Sequence, residues 1–214
     1  MRSKDRFASI SHFIGAVEGF IGTLILFFKV QGDFTKILIV TIYGFSVTFL
    51  LLSSGIYHAL VKEENEKSLW RRLDHSAIFV MIAGAYTPIS FAYLPKGWST
   101  ALIIFQWFLA LIGIIVKATM INLGRILTAG FYLIMGWIAI FVIPLLLKNM
   151  PIADFLFLLG GGLAFTIGAM FYISEKRSPK IFFLWKHDWF HIFVLIGASL
   201  HYYVVYNAII LTNL

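Results

Sequence analysis

Four side chains able to bind a metal ion or move a proton, His58, Asp74, His187 and His191, lie at the ends of long apolar segments, where polar groups are scarce. His187 and His191 are one helical turn apart, so on a helix they share a face and can hold one ion. Ser54 stands in the same relation to His58. Three imidazoles and a carboxylate at one depth of a helix bundle point to a metal site, with zinc the expected cofactor. Zinc on three neutral histidines keeps one position open for water, the arrangement of catalytic rather than structural sites. Such zinc lowers the pKa of its water from about 15.7 to about 7. Asp74 would hold that water as general base, and Ser54 would hydrogen-bond it or another group nearby. Imidazole ligands also suit iron, nickel and copper, so spacing alone does not select zinc.

A bland reading competes. A lone HxxxH pair is a weak signal, and histidines at the ends of membrane spans often serve as interfacial anchors. His187, between Lys186 and Asp188, also reads as a solvated loop residue. The metal reading gains because His58, Asp74 and Ser54 reach the same layer independently.

That layer follows from the elements that position it. The chain has 214 residues, 60% hydrophobic and only 13% charged, too much apolar surface for a soluble domain of this length. Seven segments are long enough to cross about 30 Å of hydrocarbon. They run over 8–28, 34–61, 73–94, 98–117, 124–147, 152–173 and 189–211, joined by short connections except for charged loops at 62–72 and 174–188. The expected fold is an all-α, seven-transmembrane-helix bundle forming a single domain over 1–214. Of the 17 Lys and Arg, only Lys29, Lys36, Lys96 and Lys148 fall on one side of these spans. The others, beginning with Arg2, Lys4 and Arg6, place the N-terminus in the cytoplasm and the C-terminus outside. His58 then ends a span on the cytoplasmic side, while Asp74, His187 and His191 begin spans there.

The same rule explains the net charge of +7 better than nucleic-acid binding does, and no nucleic-acid partner is expected. With no cysteine, any metal must take His, Asp, Glu or water. His12 reads as a neighbour of the ligands or a headgroup contact. His75 points about 100° away from Asp74 and is not expected to face the same ion. His201, ten residues past His191, lies about 15 Å deeper and reads as an interhelical hydrogen-bonding group. Glu18, well inside the first span, is either a functional carboxylate or a protonated, hydrogen-bonded one. Gly160, Gly161, Gly162 and Gly168 suggest close packing in the sixth span. Pro88 and Pro144 suggest kinks in the third and fifth. Trp70, Trp98, Trp185 and Trp189 read as interfacial belts.

Several motifs resemble one known family. They are Ser54-Gly-Ile-Tyr-His58, Leu73-Asp74-His75-Ser76, Ala83-Gly-Ala-Tyr-Thr-Pro88 and His187-Asp-Trp-Phe-His191 with His201. Ser11-His12-Phe-Ile-Gly15 joins them, with Ser in place of the commoner Thr. Together, across all seven spans, they are similar to the hemolysin III family, which belongs with the progestin and adipoQ (adiponectin) receptors and, more distantly, the alkaline ceramidases. The resemblance implies zinc on His58, His187 and His191, with Asp74 and Ser54 around its water. It also implies a link to ceramide hydrolysis, and to haemolytic activity in bacterial members. The short flanks look like the bacterial branch rather than a hormone receptor.

The leading expectation is therefore a multi-pass cell-membrane protein that hydrolyses a lipid amide or ester beside the cytoplasmic leaflet. Its partner would be a membrane lipid or fatty acid. The alternatives are a membrane-perturbing, hemolysin-like cytolysin and a lipid-sensing, receptor-like protein with structural zinc.

Overall fold

The computed structural model describes residues 5–63, 66–175 and 180–210. Arg2, Lys4, Lys176 and Arg177 of the charge asymmetry, and Leu211 of the last span, lie outside the described residues. Among those described, the helices in order are α1 (Arg6–Lys29), α2 (Phe34–Leu60), α3 (Leu69–Tyr93), α4 (Lys96–Thr119), α5 (Arg125–Trp137), α6 (Ile143–Asn149), α7 (Ile152–Ser174) and α8 (Lys186–Ile210). A 3-10 turn over Ile138–Val142 joins α5 to α6, and those three pieces make one span, so seven helical units are long and apolar enough to cross a membrane. Two short strands, β1 (Lys180–Ile181) and β2 (Leu184–Trp185), form a hairpin ahead of α8.

The least apolar span is the most deeply buried. In α3, 72% of the apolar window is buried, against 17% for the span built from α5 and α6. Lipid accepts only apolar surface, so a helix carrying Arg71, Asp74 and His75 with a run of small residues belongs inside. α3 packs against α2, α4, α5, α6 and α8, and α8 packs against α1, α2, α3 and α7. Gly84 permits the closest α2–α3 approach, because a Cβ there would stand 2.2 Å from the Ser46 hydroxyl.

Two helices begin three to four residues earlier than hydropathy predicts, and caps explain both. Ser68 Oγ accepts from the Arg71 backbone N–H at 3.3 Å, so α3 starts at Leu69 rather than Leu73. Asp188 Oδ2 accepts from the Trp185 backbone N–H at 3.0 Å, and α8 starts at Lys186 rather than Trp189. His187 thus sits in the first turn of a helix, which rules out the solvated-loop reading.

The two prolines act differently. α3 runs unbroken through Pro88, whereas the fifth span is interrupted just before Pro144. Pro144 has no N–H for the Ile140 carbonyl. Tyr86 holds the interrupted stretch, its hydroxyl accepting from Ala139 N at 2.7 Å and donating to Gly136 O at 2.8 Å. In the sixth span, Gly161 and Gly168 do face α8 closely, while a Cβ on Gly162 would meet nothing within 4 Å.

Candidate metal centre

His58 closes α2, and His187 and His191 open α8, so three imidazoles meet at one end of the bundle. His187 Nε2 lies 3.3 Å from His58 Nε2 and 3.0 Å from His191 Nε2. One nitrogen from each ring falls within 4.8 Å of the others. His58 and His191 are buried and His187 is half-buried.

Proton placement shows what these rings are arranged for. His58 Nδ1 is 3.1 Å from Asp5 Oδ1, so its proton belongs on Nδ1. His191 Nδ1 is 2.9 Å from His12 Nε2. His187 Nδ1 is 3.6 Å from Glu175 Oε2. Each ring turns its Nε2 inward; Nδ1 of His58 meets a carboxylate and Nδ1 of His191 another imidazole, while Nδ1 of His187 is near Glu175 without a hydrogen bond to it. With the protons on Nδ1, three Nε2 lone pairs face one another, the donor set that a divalent cation takes. Tetrahedral zinc, with Zn–N about 2.0–2.1 Å, would separate its nitrogens by about 3.3 Å, close to the spacing seen. The trio fits a small divalent ion, and acceptors behind the ligands are the usual support of such a site.

Asp5 and Glu175 are neighbours of the trio that the sequence reading missed. Asp5 precedes α1 and is 2% exposed; Glu175 follows α7. Burial alone would raise the Glu175 carboxyl, but the neighbouring His187 ring and the Arg125 guanidinium outweigh it and hold the group down at about 2. Arg125 Nη1 also donates directly to Glu175 Oε2. The available signal was position: each acid abuts a span at the same end as the histidines. His12 lies beside His191 but outside the group of three close donors, and its Nδ1 is buried without a partner among the described residues.

Asp74 and Ser54 line the cavity that begins at the trio, although neither belongs to the group of three close donors. Asp74 Oδ2 is 3.5 Å from His75 Nδ1, which itself lies 2.9 Å from the Arg71 carbonyl. His75 is thus tied to the helix backbone and not to the trio. Glu18 is exposed on α1 and is not part of the cavity wall. Trp70 and Trp98 are exposed at helix ends, but Trp185 lines the cavity and Trp189 Nε1 donates to Ile181 O at 3.3 Å, within the hairpin region.

The cavity holds about 540 Å³, within the range of roughly 300–1,000 Å³ usual for small-ligand sites. Along α3 its wall runs from Asp74 through Ile78, Met81, Ala85 and Ile89 to Leu94. That stretch of helix rises about 30 Å, comparable to the hydrocarbon thickness of a bilayer. The cavity is a long, mainly apolar space with the trio, His12, His75 and the carboxylates at one end and His201 further along its wall.

The family profile described as Haemolysin-III related matches residues 1–202. The chain is 35% identical over 201 residues to Hemolysin-3 of Bacillus cereus, covering 92% of this chain and 88% of that protein. It is 33% identical over 199 residues to the Hemolysin-3 homolog of Bacillus subtilis (strain 168), covering 92% of this chain and 90% of that one. No solved structure matches significantly.

Proposed function

The chain belongs to the haemolysin III family of multi-pass membrane proteins, and from that premise we propose that it is a zinc-dependent hydrolase of a lipid amide or ester. The observation that carries this reading is the position of the trio, three inward-facing Nε2 atoms at the head of a long apolar cavity. The family and the trio establish a membrane protein able to hold a metal; the ion and the reaction are the proposal.

His58, His187 and His191 would hold the ion, with Asp5, His12 and Glu175 fixing their tautomers. When bound, zinc supplies Lewis acidity toward a carbonyl and lowers the pKa of water. The apolar cavity binds the acyl chain and excludes water from it, which presents the scissile carbonyl at the polar end. Asp74 takes the proton from the attacking water and returns it to the leaving amine or alcohol. Ser54 orients the water or donates to the developing oxyanion. By the charge asymmetry of the loops, this end faces the cytoplasmic leaflet.

The test is Asp74→Asn. The variant should keep about one zinc per chain by elemental analysis while losing lipid hydrolysis by 100-fold or more, the scale of a general base. Full turnover in a zinc-loaded variant would refute the mechanism.

The names of the Bacillus relatives favour a second reading, direct membrane lysis. Leakage from vesicles of non-hydrolysable ether lipids separates the two. The hydrolase reading expects none, because lysis would follow from released fatty acid or lysolipid.

A further inference from the structure

The hairpin ahead of α8 carries an aromatic pair that the proposed hydrolase does not use. Its register, Lys180 opposite Trp185 and Ile181 opposite Leu184, leaves Phe182 and Phe183 as a two-residue turn. They are the two most exposed large apolar side chains among the described residues, at 86% and 83%. Phe182 has a φ of 55°, the only positive value outside glycine among the described residues. Hairpin turns give such a position to Gly, Asn or Asp, because a bulky side chain is disfavoured there. Neither backbone preference nor packing within the chain accounts for two phenylalanines at this tip.

The path of the hairpin indicates what covers them. The Trp189 indole N–H donates to the Ile181 carbonyl at 3.3 Å. Trp189 lies in the first turn of α8, at the residue where the apolar run of the seventh span begins. The hairpin thus folds back alongside the helix and brings Ile181, the residue before the turn, to the edge of the hydrocarbon. An aromatic column continues from there into the span: Phe171 of α7 stacks on Trp189, with centroids 6.1 Å apart, and on Phe193 at 5.6 Å. The hairpin sequence, Lys180-Ile-Phe-Phe-Leu-Trp185, has one cation and no acid. Lys180 is exposed, with its ammonium 4.4 Å from the centroid of the Trp185 ring. Aromatic side chains beside an exposed lysine at the end of a span match the headgroup layer of a bilayer and favour anionic lipid.

We propose that the Phe182–Phe183 turn inserts into the leaflet at the histidine end of the bundle, with Lys180 at the phosphates of anionic phospholipids. The partner is lipid of the protein's own membrane. The inference is independent of the hydrolase reading, since it needs neither a metal nor a cavity ligand. Insertion tethers the start of α8, where the Trp185 N–H donates to Asp188 Oδ2 between His187 and His191.

The chain has no cysteine, so Phe183→Cys offers a single attachment point for a nitroxide spin label. So exposed a residue can be replaced without loss of packing, and Phe182→Cys gives a second reading of the same tip. Labelled full-length protein is reconstituted in phosphatidylcholine vesicles with and without phosphatidylglycerol. Collision of the label with oxygen, which partitions into lipid, is compared with collision with a water-soluble nickel chelate. Labels on Leu111→Cys, exposed on α4, and Glu63→Cys, exposed after α2, set the lipid and water references. Both tip labels should be open to oxygen and shielded from nickel, about 5–10 Å into the boundary between headgroups and acyl chains. Phosphatidylglycerol should draw them deeper, and Lys180→Ala should abolish that difference. Nickel access at the tip equal to that of Glu63→Cys would place the turn in water and overturn the inference. Shielding from both reagents would mean that protein covers the tip, a second copy included, and would overturn it as well. A phosphatidylglycerol effect that is missing, or that survives Lys180→Ala, would overturn the assignment of Lys180 to anionic lipid.

Discussion

Asp154 and the His58–His187–His191 trio are both polar groups enclosed by apolar helices, at opposite ends of the same bundle, and their partners differ. Asp154 is 3% exposed, yet both of its oxygens are served. The Tyr93 hydroxyl donates to Oδ2 at 2.7 Å and Asn207 Nδ2 donates to Oδ1 at 2.7 Å. Asn149 adds a bond to the Tyr93 carbonyl at 3.0 Å. At the other end the Nε2 atoms of three histidines face one another with no carboxylate or amide between them. One cluster is closed and the other is open to an ion. α8 takes part in both, with His187 and His191 at one end and Asn207 at the other, and α7 runs from Asp154 to the adjoining Glu175 beside His187. The satisfied network ties α3, α7 and α8 together at its own end. Burial of a polar group therefore marks function only when its partners run out.

Removing two ligands should give the largest effect. A His187→Ala, His191→Ala double variant is expected to fall from about one metal per chain to none by elemental analysis. Chelation should lower the melting temperature of wild type but not of this variant, since only a bound ion stabilises by mass action. Metal retained in the double variant would erase the distinction between the two ends. Asp154→Ala should do the converse. It strands the Tyr93 hydroxyl and the Asn207 amide, at a cost of about 1–3 kcal/mol in a detergent unfolding titration, with metal content unchanged. Loss of metal in that variant would show that the ends are not separable. Between these lies Asp5→Asn, which leaves every ligand in place but weakens the acceptor behind His58. Its metal affinity should drop about 10- to 100-fold in a competition titration, and no drop would mean that Asp5 is a bystander.

Most of the bundle was legible because apolar runs end where the chain turns. The α2 and α7 limits agree with the hydropathy reading to within a residue, since Asp33 and Pro151 interrupt apolar sequence abruptly. α3 and α8 were read three to four residues short, because Ser68 and Asp188 extend helix into charged sequence that hydropathy treats as loop. The trio was legible from the four-residue spacing of His187 and His191 together with the topology that brings His58 to their level. Asp5 and Glu175 were not, for they lie outside the spans and become partners only when helix ends from α1 and α7 meet α2 and α8. The break before Pro144 was anticipated as a kink; the Tyr86 hydroxyl that holds it comes from another helix and leaves no local signal.

Glu18 gives the smallest expected effect and the sharpest control. By sequence it is as suspicious as Asp154, since a carboxylate within a span is a functional candidate by default. It differs from both clusters in being exposed on α1, away from the cavity wall. If buried position and partners decide function, rather than the mere presence of a charge within a span, Glu18→Gln should change neither metal content nor fatty-acid binding. Elemental analysis and a stearate titration on the purified variant test this directly. A fall in bound metal comparable to that of Asp5→Asn would mean that α1 transmits the state of its outward face to His12, which it carries less than two turns away on its inward face. The contrast would then lie between helices, with α1 as the adjustable one, and not between the two ends of the bundle.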